Sequence, residues 1–290
     1  MRHAHFAFSP AYTPLNHGSY GTYPVSVRGA HAALQSEVEA APDRFIALDW
    51  APRLHAARAL VAAGLLRCPT EDLVFVPNAT TGIDTVLKNI PWAKGDVVLV
   101  YGVVYDSVWS GLLWLEETFG VRVEVVDVCF PVADDVLVEA VVGACRRVNS
   151  NSSLKGEGEG EGKGSEERVR LAIVDTIVSM PGLRIPFEKL VPRLRAEGAL
   201  VLVDGAHGVG HIDIDLQSVD PDFFVSNLHK WLFVPRGCAA LYVPKRNQGL
   251  IRTSLPTSYL FRRRLGDGEE EENPNAFVEL FDFTGEYLFN

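Results

Sequence analysis

The sequence predicts an α/β protein in which a mostly parallel, seven-stranded sheet is sandwiched by helices. Short β-branched runs recur along the chain, and stretches with three- and four-residue apolar spacing separate most of them. The runs are apolar throughout rather than alternating, as strands buried on both faces are. Crossover helices produce that double burial, because a helix joining two parallel strands lies across the sheet.

Seven runs read as strands: Leu73–Pro77, Val97–Tyr101, Val121–Val128, Leu171–Asp175, Leu200–Asp204, Phe223–Ser226 and Ala239–Val243. Helical spacing falls between them. Pro52–Arg67 places Leu54, Arg58, Val61 and Leu65 on one face, with a proline near its start where a missing N–H does no harm. Thr80–Lys88, Ser107–Thr118, Asp134–Val148 and Phe187–Glu197 follow the same period.

With 290 residues, 47% of them hydrophobic and 22% charged, the chain can bury a sizeable core. Its formal charge of -10 comes mostly from two acidic runs, residues 154–167 and 266–272. The rest is close to neutral, so nucleic-acid binding has no electrostatic footprint. No apolar run reaches the roughly 18 residues of a membrane span, and the first twenty residues are polar and turn-rich without a signal-peptide core. Cys68, Cys129, Cys145 and Cys238 show neither disulfide nor zinc spacing. A cytoplasmic globular protein is expected.

Two segments interrupt the pattern. Ser150–Glu167 has Leu154 as its one apolar residue and reads as a disordered insertion. Its Gly162-Lys163 is followed by Gly164 and no strand precedes it, which excludes a phosphate loop. Arg262–Pro274, a basic triplet followed by an acidic run, reads as a solvated loop.

Ligands of open α/β sheets bind beyond the carboxyl ends of the strands. There the sequence places Asp204-Gly205-Ala206-His207, Asn227-Leu228-His229-Lys230-Trp231, Asn78-Ala79-Thr80-Thr81 entering a helix, and Tyr101 to Asp106. Taken singly, Asp204 caps a turn, Lys230 is a surface lysine, Thr80 and Thr81 are N-caps and Tyr105 packs. His207 and His211 have metal-pair spacing, but glycines at 208 and 210 argue against a helix and no third ligand is apparent, so no metal is expected.

Together these motifs resemble the class V aminotransferases, pyridoxal-phosphate enzymes of fold type I, and within them the isopenicillin N epimerase-like branch that includes hercynylcysteine sulfoxide lyases. Asp204 and Lys230, 26 residues apart, carry the specific part. Leu15-Asn16-His17-Gly18-Ser19-Tyr20-Gly21, Pro77 to Gly82 and Phe277 to Gly285 are similar to further motifs of that branch. The resemblance implies pyridoxal 5′-phosphate as cofactor, with Lys230 bonding its aldehyde and then serving as base at the substrate α-carbon. It implies Asp204 at the pyridinium nitrogen, Ala79 and Thr80 at the phosphate with help from Asn227 and His229, and Tyr105 stacked on the ring. His207 would lie near the ring hydroxyl, Ser179 would reach the cofactor, and Asn16 and His17 would line the substrate pocket. Residues 1–23 would contribute to the site and 24–260 would form the cofactor-binding large domain. Residues 261–290 would be the remnant of a link to a small carboxy-terminal domain, and the site would form in a homodimer.

Two departures qualify that expectation. Glu286 stands where the family pattern has a second threonine, and the chain stops at Asn290 before most of the small domain, so it reads as truncated. The mobile cysteine of the related desulfurases is absent, and Cys238 reads as buried and inert. A C–S β-lyase acting on an amino acid is therefore expected. Aminotransferase or epimerase chemistry on the same residues, and a non-catalytic cofactor-binding remnant, are the alternatives.

Overall fold

The structure is a computed structural model that describes residues 2–155, 167–258, 260–262 and 275–282. Among these, seven strands form one sheet: β1 Leu73–Val76, β2 Asp96–Tyr101, β3 Arg122–Val126, β4 Arg168–Asp175, β5 Leu200–Asp204, β6 Phe223–Asn227 and β7 Ala239–Tyr242. Their order across the sheet is β1-β7-β6-β5-β4-β2-β3, and β7 alone runs against its neighbours. All seven predicted runs are strands. The reversed β7 follows from its connection: a short passage from the end of β6 lets it pair back beside β6, whereas parallel neighbours need a long crossover.

Two helical layers cover the sheet. The main helices, in chain order, are α1 Val25–Ala40, α2 Trp50–Val61, α3 Ala79–Asn89, α4 Asp106–Phe119, α5 Asp134–Lys155, α6 Phe187–Ala196 and α7 Ala276–Asp282. Residues from α2, α5 and α6 pack with Val97, Leu99, Val201 and Val203 on one face. Those from α3, α4 and α7 pack with Val98, Val100, Leu202 and Val225 on the other. Alternate residues of one strand thus enter opposite cores, which is why the runs are apolar at every position.

Local signals set the crossovers. Asn78 starts α3, its Oδ1 accepting the Thr81 N–H at 2.8 Å, so the N-cap is Asn78 rather than either threonine. Ile83, Val86, Leu87 and Ile90 then face the sheet, all buried. The predicted helix 52–67 is α2 followed by a π turn, Ala62–Leu66, that stops at Arg67 with a φ of +50°. Helix α5 continues past the expected boundary at Ser150 to Lys155, and Glu167 is placed by an ion pair with Arg122 at 3.4 Å. The rest of the expected insertion, 156–166, and of the acidic loop, 263–274, lies outside the described residues.

Helix α7 lies against β1 and is tied there by Asp282. Its carboxylate accepts from Arg58 Nη1 at 2.8 Å and its carbonyl from Trp50 Nε1 at 3.2 Å. At the sheet centre, Phe224 is fully buried and its ring lies 2.5 Å from where a Cβ on Gly205 would stand. Phe224→Ala should lower stability by about 3–5 kcal/mol, read from the denaturant midpoint, because both strands around it are too constrained to collapse into the space.

Candidate active site

Parallel strands end on the same edge, so β2, β4, β5 and β6 deliver Tyr101, Asp175, Asp204 and Asn227 to one place. A cleft of about 170 Å³ opens there. Tyr105, Ser107, Thr80, Ser179, Asp204, His207, Asn227, His229 and Lys230 all border it, with Asn78, Ala79, Ser19 and Asp175. A larger groove of about 550 Å³ lies between α1, α2 and β1, but it is lined mainly by apolar side chains such as Phe45, Leu54 and Leu232. Size alone does not mark the chemistry.

The amine at the centre is Lys230, on a single helical turn, Leu228–Trp231, that directly follows β6. Burial lowers its pKa, and the attraction of Asp204 opposes that shift. Lys230 Nζ stands 3.1 Å from His207 Nε2, and the Trp231 indole N–H donates to His207 Nδ1 at 3.3 Å. A neutral imidazole has one N–H and one acceptor nitrogen. With Nδ1 accepting from Trp231, the neutral ring carries its proton on Nε2, facing the Lys230 amine. Burial and the nearby Lys230 and His211 push the His207 pKa down to about 4, which keeps the ring neutral.

Asp204 is buried beside this amine. Its Oδ1 accepts the Ala206 N–H at 2.9 Å, closing an Asx turn at the end of β5. Burial raises its pKa, against the lowering by the Ala206 N–H and by Lys230. The turn that follows is held by Ser226, whose hydroxyl donates to the Gly205 carbonyl at 2.5 Å and accepts the Val209 N–H at 3.2 Å.

Opposite the amine, two helix amino termini converge. Thr80 in the first turn of α3 and Ser107 in the first turn of α4 bring their hydroxyls within 3.1 Å of each other. The Ala79 N–H donates to Asn227 Oδ1 at 2.9 Å, which leaves the Asn227 NH₂ without a partner among the described residues. Unsatisfied first-turn amides and two macrodipoles make this end of the cleft attract an anion. Tyr105 is the residue before α4, half exposed at the rim. His229 donates from Nδ1 to the Cys238 carbonyl at 3.0 Å, turning Nε2 outward, and burial lowers its pKa.

The amino-terminal segment meets the site from outside. His17 Nε2 donates to the Lys230 carbonyl at 2.5 Å and its ring packs against Trp231 and Phe233. Asn16 is exposed and accepts from Ser19 Oγ at 2.8 Å. Of this segment, Ser19 borders the cleft, while Asn16 and His17 do not. Gly21 makes the approach possible: its φ is +65°, and a Cβ there would lie 1.9 Å from the His229 carbonyl oxygen. Cys238 lies away from the cleft with its thiol pushed up to about 12 by burial, as an inert cysteine requires.

Sequence reasoning missed Ser107, Asn78, Ser19 and Asp175. Ser107 carried the signal already used for Thr80, a small hydroxyl where a strand gives way to a helix. Asp175 was legible only as the end of a strand.

Two outcomes are expected from this geometry. An amine-selective reagent at pH 8 should modify Lys230 ahead of the exposed Lys94, and Trp231→Phe should slow that labelling about 2- to 10-fold, the equivalent of one hydrogen bond. Peptide mapping after limiting labelling reads both. Gly21→Ala should lose about 2 kcal/mol or more in a denaturant titration, because the clash is with backbone.

The profile of the class V aminotransferases matches residues 162–277. The chain is 36% identical over 288 residues to the L-cysteine desulfhydrase-like protein lolT1 of Epichloe uncinata, covering 96% of this chain and 60% of that protein. It is 32% identical over 278 residues to the hercynylcysteine sulfoxide lyase of Schizosaccharomyces pombe, covering 96% and 66%. It therefore spans about three fifths to two thirds of the length of these relatives. Among solved structures, the cystine C-S lyase C-DES superposes with a TM-score of 0.69 at 20% identity, over 84% of this chain and 60% of that one. The sheet and its helical layers are those of fold type I, and the chain belongs to the class V aminotransferase family.

Proposed function

We propose that the cleft binds pyridoxal 5′-phosphate and that the chain carries the cofactor-binding part of a C–S β-lyase acting on an S-substituted cysteine. The observation that carries this reading is the part-buried amine of Lys230, its pKa lowered by burial, set between a buried carboxyl, Asp204, and two converging helix amino termini. Those three features match the three ends of the cofactor: an aldehyde, a ring nitrogen and a phosphate.

The donor set fits the group. Thr80 with its backbone N–H, Ser107 and the free NH₂ of Asn227 would hold the phosphate, with His229 beside them, while Ala79, whose N–H is given to Asn227, would take part by orienting that amide. The Asp204 oxygen that does not accept from Ala206 would face the ring nitrogen and keep it protonated. His207 would approach the ring hydroxyl, Tyr105 would cover a ring face, and Ser179 closes the rim. When bound, the cofactor supplies an electron sink for the pair left at the substrate α-carbon.

Lys230 does the proton chemistry. As a free amine it takes the α-proton, and the β-carbon–sulfur bond then breaks with its electron pair leaving on sulfur. Water converts the enamine product to pyruvate and ammonia. Names of the relatives support sulfur-bearing amino acids as substrates. We also assign a homodimer. It is supported by the exposed Trp109, Leu113, Trp114 and Phe119, which continue along α4 from the cleft rim at Tyr105. A reducing cytoplasm is consistent with four free cysteines.

Absorbance spectra of the protein titrated with pyridoxal phosphate test the reading. A visible band that borohydride fixes on the Lys230 peptide is expected, with none in Lys230→Ala. Turnover of a cysteine S-conjugate should release pyruvate and fall about 10³-fold in that variant. Amine transfer to a keto acid without pyruvate release would replace the lyase by an aminotransferase.

A further inference from the structure

The floor of the cleft holds a second carboxyl with no role in that chemistry. Asp175 ends β4 as Asp204 ends β5, and the two are in-register neighbours on parallel strands. Their side chains therefore rise from the same face of the sheet, about 4.8 Å apart at the backbone. Both border the cleft and both are buried. From β2, Tyr101 clamps Asp175: its hydroxyl donates to Asp175 Oδ2 at 2.7 Å, and the same oxygen accepts the Asp175 N–H at 2.6 Å.

The charges facing Asp175 decide its ionisation. β2 presents the fully buried Tyr101, whose phenol burial and Asp175 hold well above its usual range. β5 presents Asp204. Beyond Asp204 stand Lys230 and the neutral His207, and across the cleft Tyr105 and His229. Among the described residues, no arginine or lysine bonds to Asp175. Adjacent buried carboxyls without a cation between them do not both ionise. Asp204 has the Ala206 N–H and Lys230 on its side, so it takes the charge and Asp175 takes the proton.

We propose that Asp175 is a carboxylic acid at neutral pH, a positioning residue that donates its proton towards Asp204 and holds that carboxylate as the single anion of the cleft floor. Its final consequence, the aim of Asp204 at a ring nitrogen, rests on the cofactor reading above. The titration of Asp175 agrees, since burial and Asp204 push it up to about 8.

Asp175→Asn keeps the shape and a donor; Asp175→Val keeps the shape alone. The first measurement needs no cofactor. A carboxyl protonated in the fold but not in the unfolded chain contributes stability that is present below about pH 4 and lost as pH rises towards 8. Wild type should lose it and Asp175→Asn should not, so the melting temperature of the variant relative to wild type should rise by about 3 °C or more between pH 5 and pH 8. A difference that stays flat, or falls, overturns the proposal, and this readout stands even where Asp175→Val does not fold. The second measurement is pyridoxal phosphate affinity at pH 7.5. Asn should bind within about 3-fold of wild type and Val about 10-fold more weakly, as for other groups that orient a ligand through a neighbour. Equal affinity in all three proteins overturns the positioning role. A pH-dependent gain in Asp175→Asn with no cofactor binding even in wild type supports the neutral acid and overturns the cofactor reading instead.

Discussion

The site depends on a single constraint, the common direction of β2, β4, β5 and β6. Parallel strands twist together and finish on one edge, so the last residue of each is brought near the others regardless of distance along the chain. Tyr101, Asp175, Asp204 and Asn227 are strand-terminal residues of this kind. Their positions are as rigid as the sheet, since each strand is buried on both faces. A helical turn follows β6 directly, and α3 and α4 start within a few residues of the ends of β1 and β2, which turns first-turn amides and hydroxyls towards the same edge.

Upon that frame the polar groups select one another's protonation states. Trp231 sets the tautomer of His207, whose Nε2 then faces the Lys230 amine, and burial favours the uncharged form of that amine. On the floor, Asp204 accepts from a backbone donor, and Asp175 has a phenol as its partner. A neutral imidazole, an amine whose pKa burial lowers and two carboxyls whose pKa burial raises hold less charge in this small volume than the sequence would suggest. Such an arrangement is tolerable only where each polar group has a defined partner.

The outer elements serve the centre in a different way. Gly21 lets the amino-terminal segment lie against the His229 carbonyl, and His17 then braces the Lys230 turn from behind. Thus His17 reaches the lysine through its backbone rather than by entering the cleft. At the far end, Arg58 and Trp50 hold α7 through Asp282. Two remote parts of the chain are in this way fastened to the sheet by hydrogen bonds that no local pattern encodes.

The strands were legible because burial on both faces leaves an apolar run, and α3, α4 and α6 because each presents a stripe at helical spacing. Helix α1 was not: it is rich in alanine, Val38 is its one buried residue, and no stripe marks it. The motifs around Asp204 and Lys230 were legible as resemblance, and Thr80 as a hydroxyl at a helix start. Sequence by itself determined the seven strands and the layered α/β class, since these follow from residue type and spacing, while the candidate amine and acid came from the resemblance of their motifs. Tertiary structure alone decided that β7 runs backwards, that Ser107 faces Thr80, that Asn16 stays outside the cleft and that Asp175 stands beside Asp204. Those are relations between strands and turns far apart in the chain, and no periodicity carries information about which strand becomes whose neighbour.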